Sequence, residues 1–129
     1  MNTKSIGDIG EKTAGRFLKK NGYRIIARNK HESHNEIDII AANFQFVVFV
    51  EVKTRTVNEN DNIFYGTAAS AVTLGKQERT IKGARSFMAS NPKKFKNKMI
   101  RFDVIEVYLD KSSLQVKVIN HIENAFVSK

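Results

Sequence analysis

The feature that most constrains the fold is an unbroken apolar run, Phe46 to Val50, in a chain of 129 residues. A strand with one wet face alternates apolar and polar residues, so a continuous run indicates a strand covered on both faces. The run is far shorter than the roughly 20 residues that a membrane-spanning helix needs. The sequence therefore predicts a central, doubly covered strand and no membrane association.

The spacing of apolar residues indicates whether each segment is a helix or a strand, and turn residues separate the segments. Together they predict elements in the order αβββαββ. The predicted helices cover residues 6–20 and 68–89, the predicted strands cover 23–27, 36–42, 46–55, 99–109 and 114–120, a polar loop covers 56–66, and a lysine-rich connection covers 92–98. No repeat, low-complexity tract or Gly/Ser linker divides the chain. We therefore expect a single α/β domain over residues 1–129, with a mixed central β-sheet flanked by helices.

Local signals define the two predicted helices. Ser5 and Asp8 are spaced as a capping box before the first helix, and Gly22 follows it as a stop. The second helix has four apolar residues on one predicted face: Leu74, Ile81, Ala84 and Met88. Both helices are therefore expected to pack on the sheet.

The amino-acid composition limits which binding partners and which chemistry are expected. Twenty-two Lys and Arg against 13 Asp and Glu give a net charge of +9, which favours a polyanionic partner but also fits a merely soluble lysine-rich surface. The chain contains no cysteine, which excludes disulfides, thiol nucleophiles and cysteine-ligated zinc. The start, Met1 to Asp8, lacks the apolar core of a signal peptide, so we expect a cytoplasmic protein.

Two acids stand out within predicted apolar strands, where an acid is costly unless something compensates its charge. Asp38 is flanked by isoleucines, and Glu51 directly follows the apolar run. With a period of two, Glu51 and Lys53 share the face of Val47 and Phe49. These positions are the first candidates for chemistry.

The hairpin register decides whether the two acids meet. A two-residue turn at Phe44-Gln45 places Asp38 directly opposite Glu51, and one at Asn43-Phe44 leaves the acids diagonal on the same face. A three-residue turn sends them to opposite faces. All three registers are open from the sequence, and two of them bring the acids together.

Two carboxylates at this spacing offer hard oxygen ligands to Mg²⁺ or Mn²⁺, and Lys53 could assist phosphodiester hydrolysis beside them. A solvated cross-strand ion pair is the more frequent explanation of an acid-x-lysine pattern. Glu11, at the edge of the first helix's apolar stripe, could lean toward the same cluster or be an ordinary acid near a helix N-terminus.

The remaining polar residues give weaker signals. His31, His34 and His121 lack metal-ligand spacing, and surface or capping roles are expected for them. Asp103 could support the acid cluster, or it could pair with Arg101 or a strand-end amide. Both interpretations stay open.

The chain resembles the PD-(D/E)XK nuclease superfamily through the D…ExK pattern of Asp38, Glu51 and Lys53. More narrowly, it resembles the YraN-type family of endonuclease-like proteins, which are similar to archaeal Holliday-junction resolvases. The segments that carry the resemblance are Asn35–Ala41 and Phe49–Arg55, with Gly10-Glu11, Ala14, Gly22-Tyr23, Asn29, Lys76-Gln77, Arg101–Ile105 and Asn124–Phe126 in order around them.

The resemblance implies a restriction-endonuclease-like fold, with Asp38 and Glu51 as ligands of Mg²⁺ or Mn²⁺. It further implies the following roles: Lys53 as catalytic lysine, Glu11 as supporting acid, and Lys76 or Gln77 as auxiliary groups. Asn35 departs from the glycine that the family usually has there, and asparagine tolerates positive φ better than most residues.

Basic residues suggest a nucleic-acid surface beside the site. They are Lys76, Arg79 and Lys82 on the second helix, and Lys93, Lys94, Lys96 and Lys98 in the connection. A solvated helix face and loop explain them equally well. We therefore expect a metal-dependent DNA endonuclease, with branched or single-stranded DNA as candidate substrates and a homodimer as one assembly. The alternatives are a non-catalytic nucleic-acid-binding module on a nuclease-like scaffold and an adaptor for acidic proteins.

Overall fold

The computed structural model describes residues 3–32, 35–62 and 72–127. Its elements, in chain order, are α1 (Thr3–Lys20), β1 (Arg24–Glu32), β2 (Asn35–Ala42), β3 (Phe46–Val57), α2 (Leu74–Ser90), β4 (Met99–Asp110) and β5 (Val116–Phe126). The predicted order αβββαββ is confirmed. Within this described part, neither helix combines the length and the apolar character that crossing a bilayer requires.

The five strands form one mixed sheet in the order β1-β2-β3-β4-β5. Strands β3 and β4 are parallel, and the other neighbouring pairs are antiparallel. Parallel neighbours need a long crossover, and helix α2 lies in the connection between β3 and β4. The α/β class and the mixed sheet with flanking helices are therefore confirmed.

Strand β3 is covered on both faces, as its apolar run predicts. Val48 belongs to the cluster that contains Leu18 of α1. Phe49 belongs to the opposite cluster and meets Phe87 of α2 edge to face, with ring centroids 5.9 Å apart. Helices α1 and α2 therefore cover opposite faces of the sheet.

Three predicted helix details are wrong. Helix α1 already begins at Thr3, so Ser5 lies inside it and does not form the predicted capping box. Helix α2 begins at Leu74 with Thr73 as N-cap, whose hydroxyl accepts from Lys76 N at 3.2 Å. Leu74 is consequently in the first helical turn and is 73% exposed, while Phe87 is buried in the core. Of the predicted helix start, positions 68–71 lie outside the described residues.

The two edge strands run further than predicted. Strand β1 continues to Glu32 and β5 to Phe126, beyond the predicted ends at residues 27 and 120. Edge strands carry polar residues on their exposed faces, so the apolar alternation that marks a strand is weak there. Strand β3 also continues to Val57, and positions 63–66 of the predicted loop lie outside the described residues.

Candidate functional site

A tight hairpin sets the register of β2 and β3. Ala42 pairs with Val47, so the turn contains only Phe44 and Gln45. The Asn43 side chain fixes this turn, because its Oδ1 accepts from Gln45 N at 2.9 Å and from Phe46 N at 2.8 Å. Asparagine favours such turns for this reason. The first of the three predicted registers is confirmed.

The ladder between β2 and β3 ends at the pair Ile39–Val50, and Asp38 and Glu51 are the next residues on the two strands. Asp38 Oδ2 accepts a hydrogen bond from Val52 N at 2.9 Å, so the carboxylate binds β3 where the regular ladder ends. Burial, followed by the charge of Glu51, raises the pKa of Asp38 to about 6. The hydrogen bond from Val52 acts in the opposite direction but is outweighed.

Two ammonium groups flank the other carboxylate of the pair. Lys53 Nζ lies 3.6 Å from Glu51 Oε1, and Lys76 Nζ lies 3.6 Å from Glu51 Oε2. Lys76 also donates to the carbonyl oxygen of Glu36 at 3.4 Å. The start of α2 thus reaches both β2 and β3, and Glu51 is buried between two cations.

Helix α1 brings a third acid because it touches β3 closely at Gly10. A Cβ at Gly10 would lie 1.7 Å from Thr54 Oγ1, so only glycine permits this approach. The next residue is Glu11, whose pKa is raised by burial and then by the charge of Asp38. Glu11 is therefore close enough to the acid pair to interact with it electrostatically.

Asn29 joins this cluster, and sequence reasoning gave it no role. It lies on β1 between the partners of Ile37 and Ile39, opposite Asp38, with a φ of 49°. Its amide nitrogen, turned toward the acids, donates to Glu11 Oε2 at 3.2 Å and to Glu36 Oε1 at 3.3 Å. Two signals could have indicated it: its place among the residues that carry the resemblance, and the tolerance of asparagine for positive φ. We designate Glu11, Asn29, Glu36, Asp38, Glu51, Lys53 and Lys76 the acid cluster.

Gln77, the other predicted auxiliary residue, contacts the backbone just before α2. Gln77 Nε2 donates to Val72 O at 3.0 Å, which ties the first turn of α2 to the preceding segment. Arg79 and Lys82 are exposed on α2. Asn35 does not adopt positive φ; its Cβ instead faces Gly83 of α2, 3.5 Å from where a Cβ there would lie.

The predicted lysine-rich connection lies away from the acid cluster. Lys98 Nζ donates to Asn43 O, and Met99 N donates to Gln45 O at 2.9 Å, so this segment lies beside the β2–β3 turn. The five steps along the strand from Phe46 to Glu51 span roughly 17 Å. The basic residues predicted to lie together are therefore divided between two ends of the molecule.

The donor set can be compared with the needs of a divalent cation. The described ranges contain no group of three or more acids or histidines arranged to hold a metal ion. Mg²⁺ keeps several waters and often takes only one or two carboxylates plus substrate phosphate. Asp38 and Glu51, two neighbouring hard oxygen ligands, fit that limited requirement.

A second buried network lies on the α1 face of the sheet. Asp103 accepts from Arg101 at 2.9 and 2.8 Å, from Asn124 N at 3.0 Å, and lies 2.7 Å from His121 Nε2. Arg101 also donates to the hydroxyl of Tyr23 at 2.5 Å. Of the interpretations left open for Asp103, the structure shows pairing with Arg101, together with a hydrogen bond from the backbone amide of Asn124 near the end of β5. His121 is not a surface residue as expected, because β4–β5 pairing brings it beside this carboxylate.

A third buried acid is also compensated. Glu106 is fully buried and pairs across the parallel ladder with Lys53. Its oxygens accept from Asn120 Nδ2 at 2.8 Å, from the Tyr108 hydroxyl at 3.2 Å and from Arg55 Nε at 3.4 Å. The ammonium of Lys53 instead lies near Glu51.

Fold and site together define a small α/β protein with a carboxylate–lysine cluster on a mixed sheet. A family model described as "Uncharacterised protein family UPF0102" matches residues 10–107, and the chain belongs to this family. This confirms the family-level part of the resemblance, since UPF0102 is the YraN-like family. The matched range includes Glu11, Asp38, Glu51, Lys53 and Lys76.

Curated relatives cover nearly the whole chain. A UPF0102 protein of Caldanaerobacter subterraneus subsp. tengcongensis is 42% identical over 126 residues, which is 98% of this chain and 98% of the relative. One from Chloroherpeton thalassium is 46% identical over 113 residues, covering 87% of this chain and 82% of the relative. One from Clostridioides difficile is 41% identical over 126 residues, covering 98% of this chain and all of the relative.

Proposed function

We propose that this protein is a metal-dependent DNA endonuclease of the PD-(D/E)XK type, which hydrolyses phosphodiester bonds. The observation that supports this most is the neighbouring pair of Asp38 and Glu51, in which burial and then the charge of Glu51 raise the pKa of Asp38 to about 6. Acids whose pKa is shifted by burial together with a specific charged neighbour are typical of functional sites. A divalent cation between them would remove the repulsion.

Each member of the acid cluster has a role in this proposal. Asp38 and Glu51 hold the ion, and a bound Mg²⁺ or Mn²⁺ supplies Lewis-acid stabilisation of charge on the phosphate. Lys53, whose ammonium lies 3.6 Å from Glu51, donates hydrogen bonds to the phosphate oxygens as negative charge builds there. Lys76 adds a second positive charge from α2, and Glu11 supports the acids from α1.

A second candidate is a nucleic-acid-binding module without turnover. One observation favours it: both oxygens of Glu51 already have an ammonium group 3.6 Å away, an arrangement that needs no metal ion. This candidate predicts binding that weakens with salt whether or not a divalent cation is present. Mn²⁺ binding that depends on Asp38 and Glu51 would separate the two candidates.

The test is a cleavage panel of linear, single-stranded, flap and four-way DNA with Mg²⁺ or Mn²⁺. We expect Asp38→Asn, Glu51→Gln and Lys53→Ala each to lower cleavage roughly 100-fold or more, because each removes a group that acts on the reacting phosphate or its metal. Lys30→Ala is the matched control, since Lys30 also lies 3.6 Å from a glutamate two positions away on a strand. It should cleave like the wild type.

Two outcomes would contradict the proposal. Equal cleavage by the wild type and all three site variants would indicate a contaminant or another site. Salt-dependent DNA binding with no cleavage of any substrate, and no Mn²⁺ binding by calorimetry, would favour the non-catalytic module.

A further inference from the structure

The β2–β3 turn presents an aromatic ring to solvent. Phe44 is 89% exposed, the most of any large apolar side chain in the described ranges. The turn beneath it is fixed, because Asn43 Oδ1 accepts from two backbone amides and Asn43 N donates to Phe46 O at 3.0 Å. A ring on a fixed turn loses little entropy when a flat ligand covers it.

The lysine-rich connection after α2 lies beside this turn. The connection after α2 is anchored by Phe95, which is only 2% exposed, and by the contact of Lys98 with Asn43 O. Three lysines of the connection are left exposed: Lys93, Lys94 and Lys96. Arg24, also exposed, pairs with Ala42 two residues before the ring. Residues 39–50 and 89–101 contain no acid.

We propose that Phe44 with Lys93, Lys94 and Lys96 forms a second nucleic-acid contact, the turn surface, which takes a single-stranded segment of the substrate; this rests on the proposed function. A base stacks on the ring of Phe44 while the lysines bind the adjacent phosphates. Stacking on an aromatic ring requires an unpaired base, which a continuous duplex does not offer.

The chemistry of the turn favours nucleic acid over a lipid surface. Gln45, exposed next to the ring, carries an amide that suits hydrogen bonding to bases and phosphates. A lipid-binding surface instead needs an extended apolar face. Met99 is 60% exposed near the turn, so a vesicle arm belongs in the test.

The turn surface lies too far from the acid cluster for one nucleotide to touch both. At the stacked spacing of about 3.4 Å, the roughly 17 Å of strand between Phe46 and Glu51 corresponds to about five nucleotides, and an extended single strand spans it with fewer. The substrate therefore needs a single-stranded segment of a few nucleotides next to the cleaved bond.

The chain contains no tryptophan, so Phe44→Trp introduces a unique fluorescent reporter. We expect an oligothymidylate of about 20 nucleotides, added in EDTA at low salt, to quench this fluorescence by about half or more, because bases stack on the indole. Val116→Trp, at an exposed position on β5, is the control and should change by less than about a tenth. Anionic vesicles should quench neither variant.

Affinity variants test the two parts of the surface separately. Phe44→Ala should weaken oligothymidylate binding about tenfold with the salt dependence unchanged. Replacing Lys93, Lys94 and Lys96 together by Gln should reduce the slope of log affinity against log salt by about 2, since each lost phosphate contact contributes about 0.7 for a single strand. Circular dichroism checks that both variants are folded.

The outcomes separate this proposal from the proposed function. Absent quenching of Phe44→Trp, or a Phe44→Trp response to vesicles but not to oligothymidylate, overturns the turn surface even if the wild type cleaves DNA. Quenching together with the two affinity losses, in a protein that cleaves nothing with Mg²⁺ or Mn²⁺, supports the turn surface and overturns the nuclease.

Discussion

Asp38 and Asp103 are both largely removed from water, on adjacent parts of one sheet, yet their surroundings are opposite. Asp103 receives hydrogen bonds from Arg101 and Asn124 N and lies against His121, and these contacts lower its pKa although burial raises it. Asp38 receives one backbone hydrogen bond and lies near Glu51, and its pKa rises to about 6. Burial alone therefore does not distinguish a structural acid from a functional one.

The two carboxylates differ in how far neighbouring groups offset the effect of burial on the pKa. Desolvation is the largest cause acting on both carboxylates, and in Asp103 the surrounding donors outweigh it. At Asp38 the charge of Glu51 adds to desolvation, and the hydrogen bond from Val52 and the charge of Lys76 do not offset the two, so the ionised carboxylate costs stability. Sites that cost stability are where function is expected.

The largest effect that tests this comparison is the loss of Asp103. We expect Asp103→Ala to lower the free energy of unfolding by about 3–5 kcal/mol, because Arg101 is left buried without its partner. Urea unfolding at pH 7 measures it. Asp110→Ala is the control, since Asp110 binds only its own turn, and its effect should be much smaller. A loss at Asp103 no larger than the control would mean that the network does not stabilise the fold.

Asp38 should behave in the opposite way. Its folded pKa of about 6 lies above the ordinary 3.8, so its contribution is most favourable below about pH 4 and is lost as pH rises to about 6. We expect Asp38→Asn to be more stable than the wild type at pH 7, by about 2 kcal/mol after allowing for partial solvent screening.

Near pH 4, where Asp38 is protonated in the folded protein, the wild type and Asp38→Asn should have similar free energies of unfolding in urea. Saturating Mn²⁺ should also stabilise the wild type more than Asp38→Asn. An Asp38→Asn variant that is less stable than the wild type at pH 7 would place Asp38 with Asp103 among the compensated acids.

The smallest effect concerns Asn29. Asn29→Gly keeps the positive-φ backbone and removes only the amide that bridges Glu11 and Glu36. We expect Mn²⁺ affinity, measured by calorimetry, to change about fivefold, or about 1 kcal/mol, because Glu11 loses its hydrogen bond. In a Glu11→Gln background the same change should have almost no effect, since the coupled partner is already altered. An equal effect in both backgrounds would mean that Asn29 does not act through Glu11.

The features that could be predicted from the sequence are those that depend on the alternation of residues along one strand or on the residues of one turn. The doubly covered β3 and the proximity of Glu51 and Lys53 are local properties of this kind. The hairpin register was limited to three alternatives, and the structure has the first of them. The sequence could not predict that His121 lies beside Asp103, because that contact depends on β4–β5 pairing with a register shift between Phe102 and Val104.

The other features that the sequence did not predict also depend on contacts between residues that are far apart in the chain. Exposure of Leu74 depends on where α2 begins, and the position of the lysine-rich connection depends on the contact of Lys98 with Asn43 across the chain. Asn29 reaches Glu11 because its positive φ interrupts the alternation of β1, so both Arg28 and Asn29 meet α1. None of these follows from spacing alone.

The close approach of Gly10 to Thr54 has one more consequence. At this crossing the helix backbone packs directly against the side chain of Thr54, and the helix contributes no side chain of its own. A larger residue at position 10 would therefore push the helix away from β3 and carry Glu11, the next residue, with it. The geometry of the acid cluster thus depends on a residue that carries no functional group.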